Sequence, residues 1–305
     1  MANPGHRPVT SDEPQSEKPV VLEAAAPVTN RTSLPYYRRP TPPPRVVNES
    51  GILFEPAEPW EFKLALPDVA VASFGDTPLL EAVIGNDDRV KVASSLLSSN
   101  PWRQICSLRI RSQSGELYVG TGWFIGSKTL ATAGHCVYLQ DDGGWAASID
   151  VIPARFGSSF PFGTIRATRF AAVDGWTVHS QRDFDYGVIH LESDSAGRQT
   201  GNFEVRAISD QLLNNVAAKI SGYPADREQA QFQYFHERPI QRVTATRLFY
   251  DIDTFGGQSG SPIWEDTAEH GVVAIGIHTT GGVSSNSGTR INNDVIDNLI
   301  SWLEA

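Results

Sequence analysis

The sequence predicts an all-β fold that ends in one α-helix and follows a proline-rich leader. Three observations predict it. From residue 90 onward, short β-type apolar runs recur between turn residues, a spacing that suits barrels rather than alternating β and α units. Helical periodicity emerges only near the end, where Val295, Ile296, Leu299, Ile300 and Leu303 fall on one face behind Asn292 or Asn293 as cap. Finally, fourteen of the 20 prolines precede residue 82, which separates two physically different regions.

Residues 1–50 are rich in Pro, Glu, Ser and Thr and include the run Pro40-Thr41-Pro42-Pro43-Pro44. Such a segment buries too little apolar surface to offset chain entropy, so it is expected to be disordered with polyproline-like stiffness. Tyr36-Tyr37-Arg38-Arg39 reads as solvated linker in preference to a docking motif. Residues 51–81 are more apolar, with Phe54, Trp60, Phe62, Leu64, Leu66, Leu79 and Leu80, and are expected to pack in part on the domain that comes next. Residues 1–81 are therefore read as a propeptide, and 82–305 as the folded domain.

Within that domain, 105–111 and 116–125 flank Gln113-Ser114-Gly115 and predict a hairpin. Runs at 130–133, 149–152, 165–173 and 186–191 complete a first barrel over about 82–200, and 197–201 reads as a polar link. A second barrel over about 201–290 is predicted from runs at 203–208, 217–221, 232–235, 238–248, 249–252, 262–264, 272–278 and 288–291. Residues 291–305 carry the helix.

At 305 residues and 40% hydrophobic content the chain can bury one large core or two smaller ones. A formal charge of −10 argues against a nucleic-acid partner, because phosphate binding needs a basic face. No run approaches the length of a membrane span, so no membrane partner is expected. The early apolar run at 20–28 is broken by Glu23 and Pro27, and no export signal is read there.

The chemistry concentrates in Thr254-Phe255-Gly256-Gly257-Gln258-Ser259-Gly260-Ser261-Pro262. A serine among glycines serves a tight turn, or it is a nucleophile whose surroundings need unobstructed backbone N–H groups. In the second reading the Gly257 and Ser259 amides hold a developing oxyanion. Serine is a weak nucleophile at neutral pH, so a base must lie within hydrogen-bond reach and a third group must orient it. Thr129-Leu130-Ala131-Thr132-Ala133-Gly134-His135-Cys136 delivers a histidine at the end of a strand of small residues. Of the 7 histidines, only His135 has that setting; His6 falls in the leader, and His179, His236 and His270 fall in polar, loop-like stretches. Asp185 stands directly before the strand Tyr186-Gly187-Val188-Ile189, whereas Asp183 reads as a solvated loop charge and Asp174 as a weaker third choice. The order His, Asp, Ser is that of the chymotrypsin-like arrangement.

These segments resemble the chymotrypsin-fold serine peptidases and, within them, the bacterial glutamyl endopeptidases of the staphylococcal and Bacillus type. Val83-Ile84-Gly85-Asn86-Asp87-Asp88-Arg89 looks like the start of the mature enzymes, and Thr121-Gly122-Trp123-Phe124-Ile125-Gly126 like their second strand. Ile220-Ser221-Gly222-Tyr223-Pro224 and Gly276-Ile277-His278-Thr279 extend the likeness, the latter to the strand that lines their specificity pocket. The resemblance implies two antiparallel six-stranded barrels with the site in the cleft between them. It implies a secreted enzyme that works on protein and peptide substrates as a monomer, is released from its own propeptide, and needs no metal or organic cofactor. It further implies that Thr254, His278 and the α-amino group near Val83 receive an acidic P1 side chain. In relatives, the position of Cys136 carries a disulfide partner; here a Cys106–Cys136 bridge and two buried thiols both remain open.

Two other readings stand beside this one. Asp253 lies where a trypsin-like pocket carries its acid, which keeps a different P1 preference in view. A silent protease-like binding module is the third, and fluorophosphonate uptake at Ser259 separates it from an enzyme.

Overall fold

A computed structural model of the chain describes residues 4–13, 83–214, 216–267, 271–282 and 285–303. The expected packing of 51–81, and most of the stretch expected to be disordered, lie outside these residues. Within 4–13 the expectation of disorder is corrected: Pro8–Thr10 is a strand, paired antiparallel with Arg169–Val173. A short extended segment needs no large apolar surface of its own when a sheet edge supplies hydrogen-bond partners.

The first half is built on the predicted hairpin. Ile105–Arg111 pairs with Leu117–Phe124 in unbroken register, from Ile105 opposite Trp123 to Arg111 opposite Leu117. Nearly every side chain of both strands is buried, because one face fills a curled sheet and the other meets the second half. There the Thr121 hydroxyl donates to the Gly257 carbonyl at 2.8 Å, and Tyr223 Oη donates to the Ile105 carbonyl at 3.4 Å. The sheet runs in the order Pro8–Thr10, Arg169–Val173, Gly187–His190, Thr129–Thr132, Leu117–Phe124, Ile105–Arg111, Ser148–Pro153 and Ile165–Ala167. With Pro8–Thr10 on one edge and Ile165–Ala167 on the other, it curls without closing.

The second half does close. Gly271–Thr280, Pro262–Thr267, Ala217–Gly222, Tyr234–Val243, Arg247–Tyr250 and Asn286–Arg290 pair in that order, and the last returns to the first. Trp123, Phe203 and Trp264 stack edge-on between the halves, with centroids 5.2 and 5.9 Å apart. Such aromatic pairs contribute about 0.5–1.5 kcal/mol each beyond the area they bury. The C-terminal helix spans Asn293–Leu303, as the periodicity predicts. Asn292 caps it, its Oδ1 accepting from the Val295 amide at 3.0 Å.

Three local expectations give way. The run at 165–173 divides into Ile165–Ala167 and Arg169–Val173. The polar link at 197–201 is instead the helix Ser195–Thr200, where Thr200 Oγ1 satisfies the Ala196 carbonyl at 3.1 Å. The runs at 232–252 become two strands, Tyr234–Val243 and Arg247–Tyr250, joined where Thr244 Oγ1 accepts the Arg247 amide. Among the described residues, no helix is long and apolar enough to cross a membrane.

Candidate active site

Strand pairing brings His135 and Asp185 together. Thr129–Thr132 and Gly187–His190 run antiparallel with Thr132 opposite Gly187, so the residues just after the first strand meet those just before the second. His135 sits on a single helical turn, Gly134–Val137, that continues the first strand. Asp185 precedes the second and is fully buried. Its Oδ1 accepts the His135 amide at 2.9 Å, and its Oδ2 pairs with His135 Nδ1 at 2.8 Å. Asp183 is exposed, and Asp174 is engaged with Arg7. Burial acts to lower the His135 pKa, but the Asp185 carboxylate outweighs it, aided by the Cys136 sulfur, so the imidazole stands above its ordinary value.

Asp185 is also held from behind. Thr289 Oγ1 donates to its carbonyl at 3.0 Å. The buried Arg247 guanidinium donates to the Arg182 carbonyl and Ser287 Oγ, both at 2.7 Å, and to Thr279 Oγ1 at 3.2 Å.

Ser259 is fixed by its backbone to both halves. Its carbonyl accepts the Thr121 amide at 2.9 Å, and the Cys136 thiol donates to the same oxygen at 3.6 Å. The residue after His135 therefore touches the backbone of Ser259. The next residue, Gly260, donates to the His278 carbonyl at 2.7 Å, and its own carbonyl accepts Trp123 Nε1 at 3.1 Å. The turn requires glycine at two points. Gly257 has φ +101°, and a Cβ there would lie 2.5 Å from the Tyr223 carbonyl oxygen. Gly260 has φ +88°, and its Cβ would lie 2.1 Å from the Thr121 carbonyl oxygen and 3.0 Å from the Ala133 amide. Only glycine lets the Ser259 turn approach the strand end that carries His135.

Next to this turn are the residues singled out for specificity. Thr254 is fully buried, and its hydroxyl has no hydrogen-bond partner among the described residues. His278 is fully buried too, with Nδ1 2.7 Å from Tyr250 Oη. Asp253 is buried and holds the start of the domain, its two oxygens accepting the Ile84 amide at 2.7 Å and the Asp88 amide at 2.9 Å. Val83 is thereby held beside the residue that precedes Thr254.

Comparison with known proteins places the chain in a family. Residues 120–275 match the family model for the trypsin-like peptidase domain. The glutamyl endopeptidase of Bacillus licheniformis is 39% identical over 230 residues, which cover 73% of this chain and 69% of that protein. The chain belongs to the trypsin-like peptidases. A Bacillus subtilis relative named extracellular metalloprotease is 37% identical over 222 residues, 72% of this chain and 69% of that protein. Among solved structures, a Glu endopeptidase in complex with MPD superimposes with a TM-score of 0.64 at 26% identity, over 73% of this chain and all of the other. With these relatives, this trypsin-like peptidase is a serine endopeptidase acting on protein substrates.

The second relative's name raises the matter of a metal, which the donor atoms of this peptidase answer. Asp88, His236 and Asp253 bring ligand-type atoms within 4.8 Å of one another. His236 Nδ1, however, accepts the Asp253 amide at 2.9 Å, and burial, working against Asp253, lowers the imidazole pKa. The neutral ring then carries its proton on Nε2 and has no lone pair left for a metal. With its one imidazole lone pair engaged by the Asp253 amide, the group has no nitrogen ligand to offer a cation; it anchors the first residues of the domain. His236, expected in a loop, lies buried on the strand Tyr234–Val243.

Beside this anchor, Arg89 inserts a fully buried guanidinium between Asp87 and Asp226, at 2.8 and 2.6 Å, and Arg227 also pairs with Asp87. Arg89→Ala leaves these carboxylates without their buried counter-charge. It is expected to cost about 1.5–3 kcal/mol in urea unfolding, the scale of hydrogen bonds to charged groups, since both carboxylates are partly exposed and Asp87 keeps Arg227; a loss below about 1 kcal/mol would refute the anchor.

Both cysteines are free and buried, which resolves the open alternative in favour of two thiols. Cys106 donates to the Gln104 carbonyl at 3.7 Å, while Cys136 is committed to the Ser259 carbonyl. Sequence reasoning missed Tyr250, Arg247 and Thr289. Each acts through a partner distant in the chain, and only the placing of Arg247 in an apolar strand signals that its charge is buried.

Proposed function

We propose that this peptidase cleaves after glutamate, with aspartate as the nearest alternative, through an acyl-enzyme formed on Ser259. His135 takes the Ser259 proton and returns it to the leaving amine. Asp185 holds the imidazole with Nδ1–H toward itself and Nε2 toward the serine, and the Gly257 and Ser259 amides receive the oxyanion. The observation that carries the reading is the double hold of the Asp185 carboxylate on His135. It fixes tautomer and ring together.

For P1, burying a carboxylate needs donors. Thr254 offers a buried hydroxyl otherwise without a partner. Tyr250 Oη donating to His278 Nδ1 leaves the proton on Nε2, from which a substrate carboxylate accepts. Asp253 is buried and bound to the Ile84 and Asp88 amides, which supports an acidic rather than a basic P1 side chain. A third donor arises by maturation: Glu81 precedes Ala82-Val83, so an enzyme of this preference cuts its own leader there and frees an amine near Val83. A single copy carries the whole triad, which supports a monomer whose first partner is its own propeptide. Val83 belongs to the pocket on this reading, and N-terminal sequencing of active protein tests it; a start well beyond Val83 removes it.

A peptide library set before the processed protein tests the specificity. Cleavage is expected after Glu. His278→Ala is expected to lower kcat/KM for Glu substrates about 10- to 100-fold, from the roughly 1.5–3 kcal/mol of a hydrogen bond to a charged group. Peptides with Gln at P1 should lose far less. Equal losses for both would remove His278 from the pocket.

A further inference from the structure

Residues 4–13 belong by composition to the leader, yet they are built into the back of the active site. Pro8–Thr10 extends the first sheet, with Pro8 opposite Val173 and Thr10 opposite Ala171. The pairing continues at both ends. The Ser11 amide donates to the Phe170 carbonyl at 2.9 Å, and the Phe170 amide donates to Ser11 Oγ at 2.9 Å. In the other direction, the amides of Asp174 and Gly175 donate to the carbonyls of Arg7 and Gly5 at 2.9 and 3.1 Å. Those two amides open the short helix Asp174–Thr177, and the first amides of a helix have no partner inside it. The leader supplies the partners. Trp176 of the same helix lies with its ring 6.2 Å from that of His135.

The segment reaches the acid as well. His6 is buried, its Nδ1 2.8 Å from Tyr186 Oη and its ring edge-on to Phe184 at 4.8 Å. Phe184 and Tyr186 are the two neighbours of Asp185. Asn298 of the C-terminal helix ties His6 to Tyr186, donating to the His6 carbonyl at 2.9 Å and to Tyr186 Oη at 2.8 Å. Main-chain pairing to a sheet edge gives affinity, and a buried side chain gives register. Both are present.

We propose that residues 5–12 are a resident strand of the catalytic domain, which stays bound after the chain is cut ahead of Val83 and positions Trp176 and Tyr186, and through them His135 and Asp185. The proposal rests on the leader-processing reading given above. It differs from the usual fate of a leader, since the part farthest from the cut is the part retained.

The test begins with unaltered, processed protein. Native size-exclusion followed by intact mass under denaturing conditions is expected to find an N-terminal fragment in equal amount with the domain that starts near Val83. A domain alone, with undiminished kcat, overturns the proposal. If the chain does not cut itself, a recognition site for an unrelated protease placed before Val83 supplies the cut. Failure of self-processing and failure of retention are thus read separately, and retention is read without any turnover.

A variant lacking residues 4–13 is then expected to lose about 10- to 100-fold in kcat, the scale of a small displacement of catalytic groups, with KM for a Glu peptide nearly unchanged. A synthetic peptide of residues 4–13 added in trans should restore kcat, and the same peptide with His6→Ala should not. Unchanged kcat in the variant, or equal rescue by both peptides, overturns the positioning role. Should the variant fail to fold, the co-migration of the fragment decides.

Discussion

Ser259→Ala is expected to lower kcat/KM about 10⁶-fold, the scale seen when a triad nucleophile is removed. The melting temperature should stay within about 5 °C, because loss of one hydroxyl hydrogen bond is usually worth about 0.5–1.5 kcal/mol. The separation of the two effects comes from how the residue is held. Ser259 is fixed by its carbonyl, which accepts from Thr121 and Cys136, and by the flanking glycine turn. Alanine keeps all of these. The amides assigned to the oxyanion and the P1 pocket also remain, so some acceleration over uncatalysed hydrolysis should persist, roughly 10³- to 10⁴-fold by analogy with other triads. Burst kinetics with an activated ester, run beside thermal melting, checks both parts. Turnover within about tenfold of the unaltered enzyme would dismiss Ser259 as the nucleophile.

How far the site could be read before the fold was known depended on the range of each interaction. The Ser259 turn was legible because its chemistry is local: glycine at 257 and 260 is a backbone requirement that leaves its mark within a few residues. The C-terminal helix was legible for the same reason, its period and its Asn292 cap lying within one segment. Strand positions were also local, but their ends were not, since whether 165–173 runs as one strand or two is set by pairing partners. The supports contributed from far along the chain escaped. Thr289 reaches the Asp185 carbonyl, and Arg247 the Arg182 carbonyl in the turn before it, only after the second half closes on itself. The N-terminal strand escaped most completely. Its composition is that of a solvated leader, and nothing within it reports that the edge of Arg169–Val173 is open to receive it. A buried His6 depends on partners such as Tyr186 and Asn298, residues 180 and 292 positions away.

Asp185→Asn should cost about 10⁴-fold in kcat while leaving the fold intact. The carboxylate makes two contacts with one residue, and the amide can reproduce only one of them. Asn keeps an oxygen for the His135 amide, but its NH2 then faces Nδ1, which must become an acceptor. The proton moves to Nε2, the atom that has to receive the proton of Ser259, and the base is lost by tautomer rather than by displacement. A linked effect on stability carries its own sign. The His135 pKa in the folded chain lies above its ordinary 6.5, so the stability this pair contributes is fully present below about pH 6.5 and is lost as pH rises through the folded value. The variant has no carboxylate to raise that pKa. Its deficit against the unaltered protein, measured as urea midpoints across pH 5 to about 9, should therefore be largest on the acid side and shrink as the medium becomes alkaline. The acid limb of kcat/KM, which reports the same imidazole in the free enzyme, should lie above pH 6.5 in the unaltered enzyme and move down in the variant. A deficit that grows with pH, or an acid limb that stays in place, would mean that Asp185 does not govern His135.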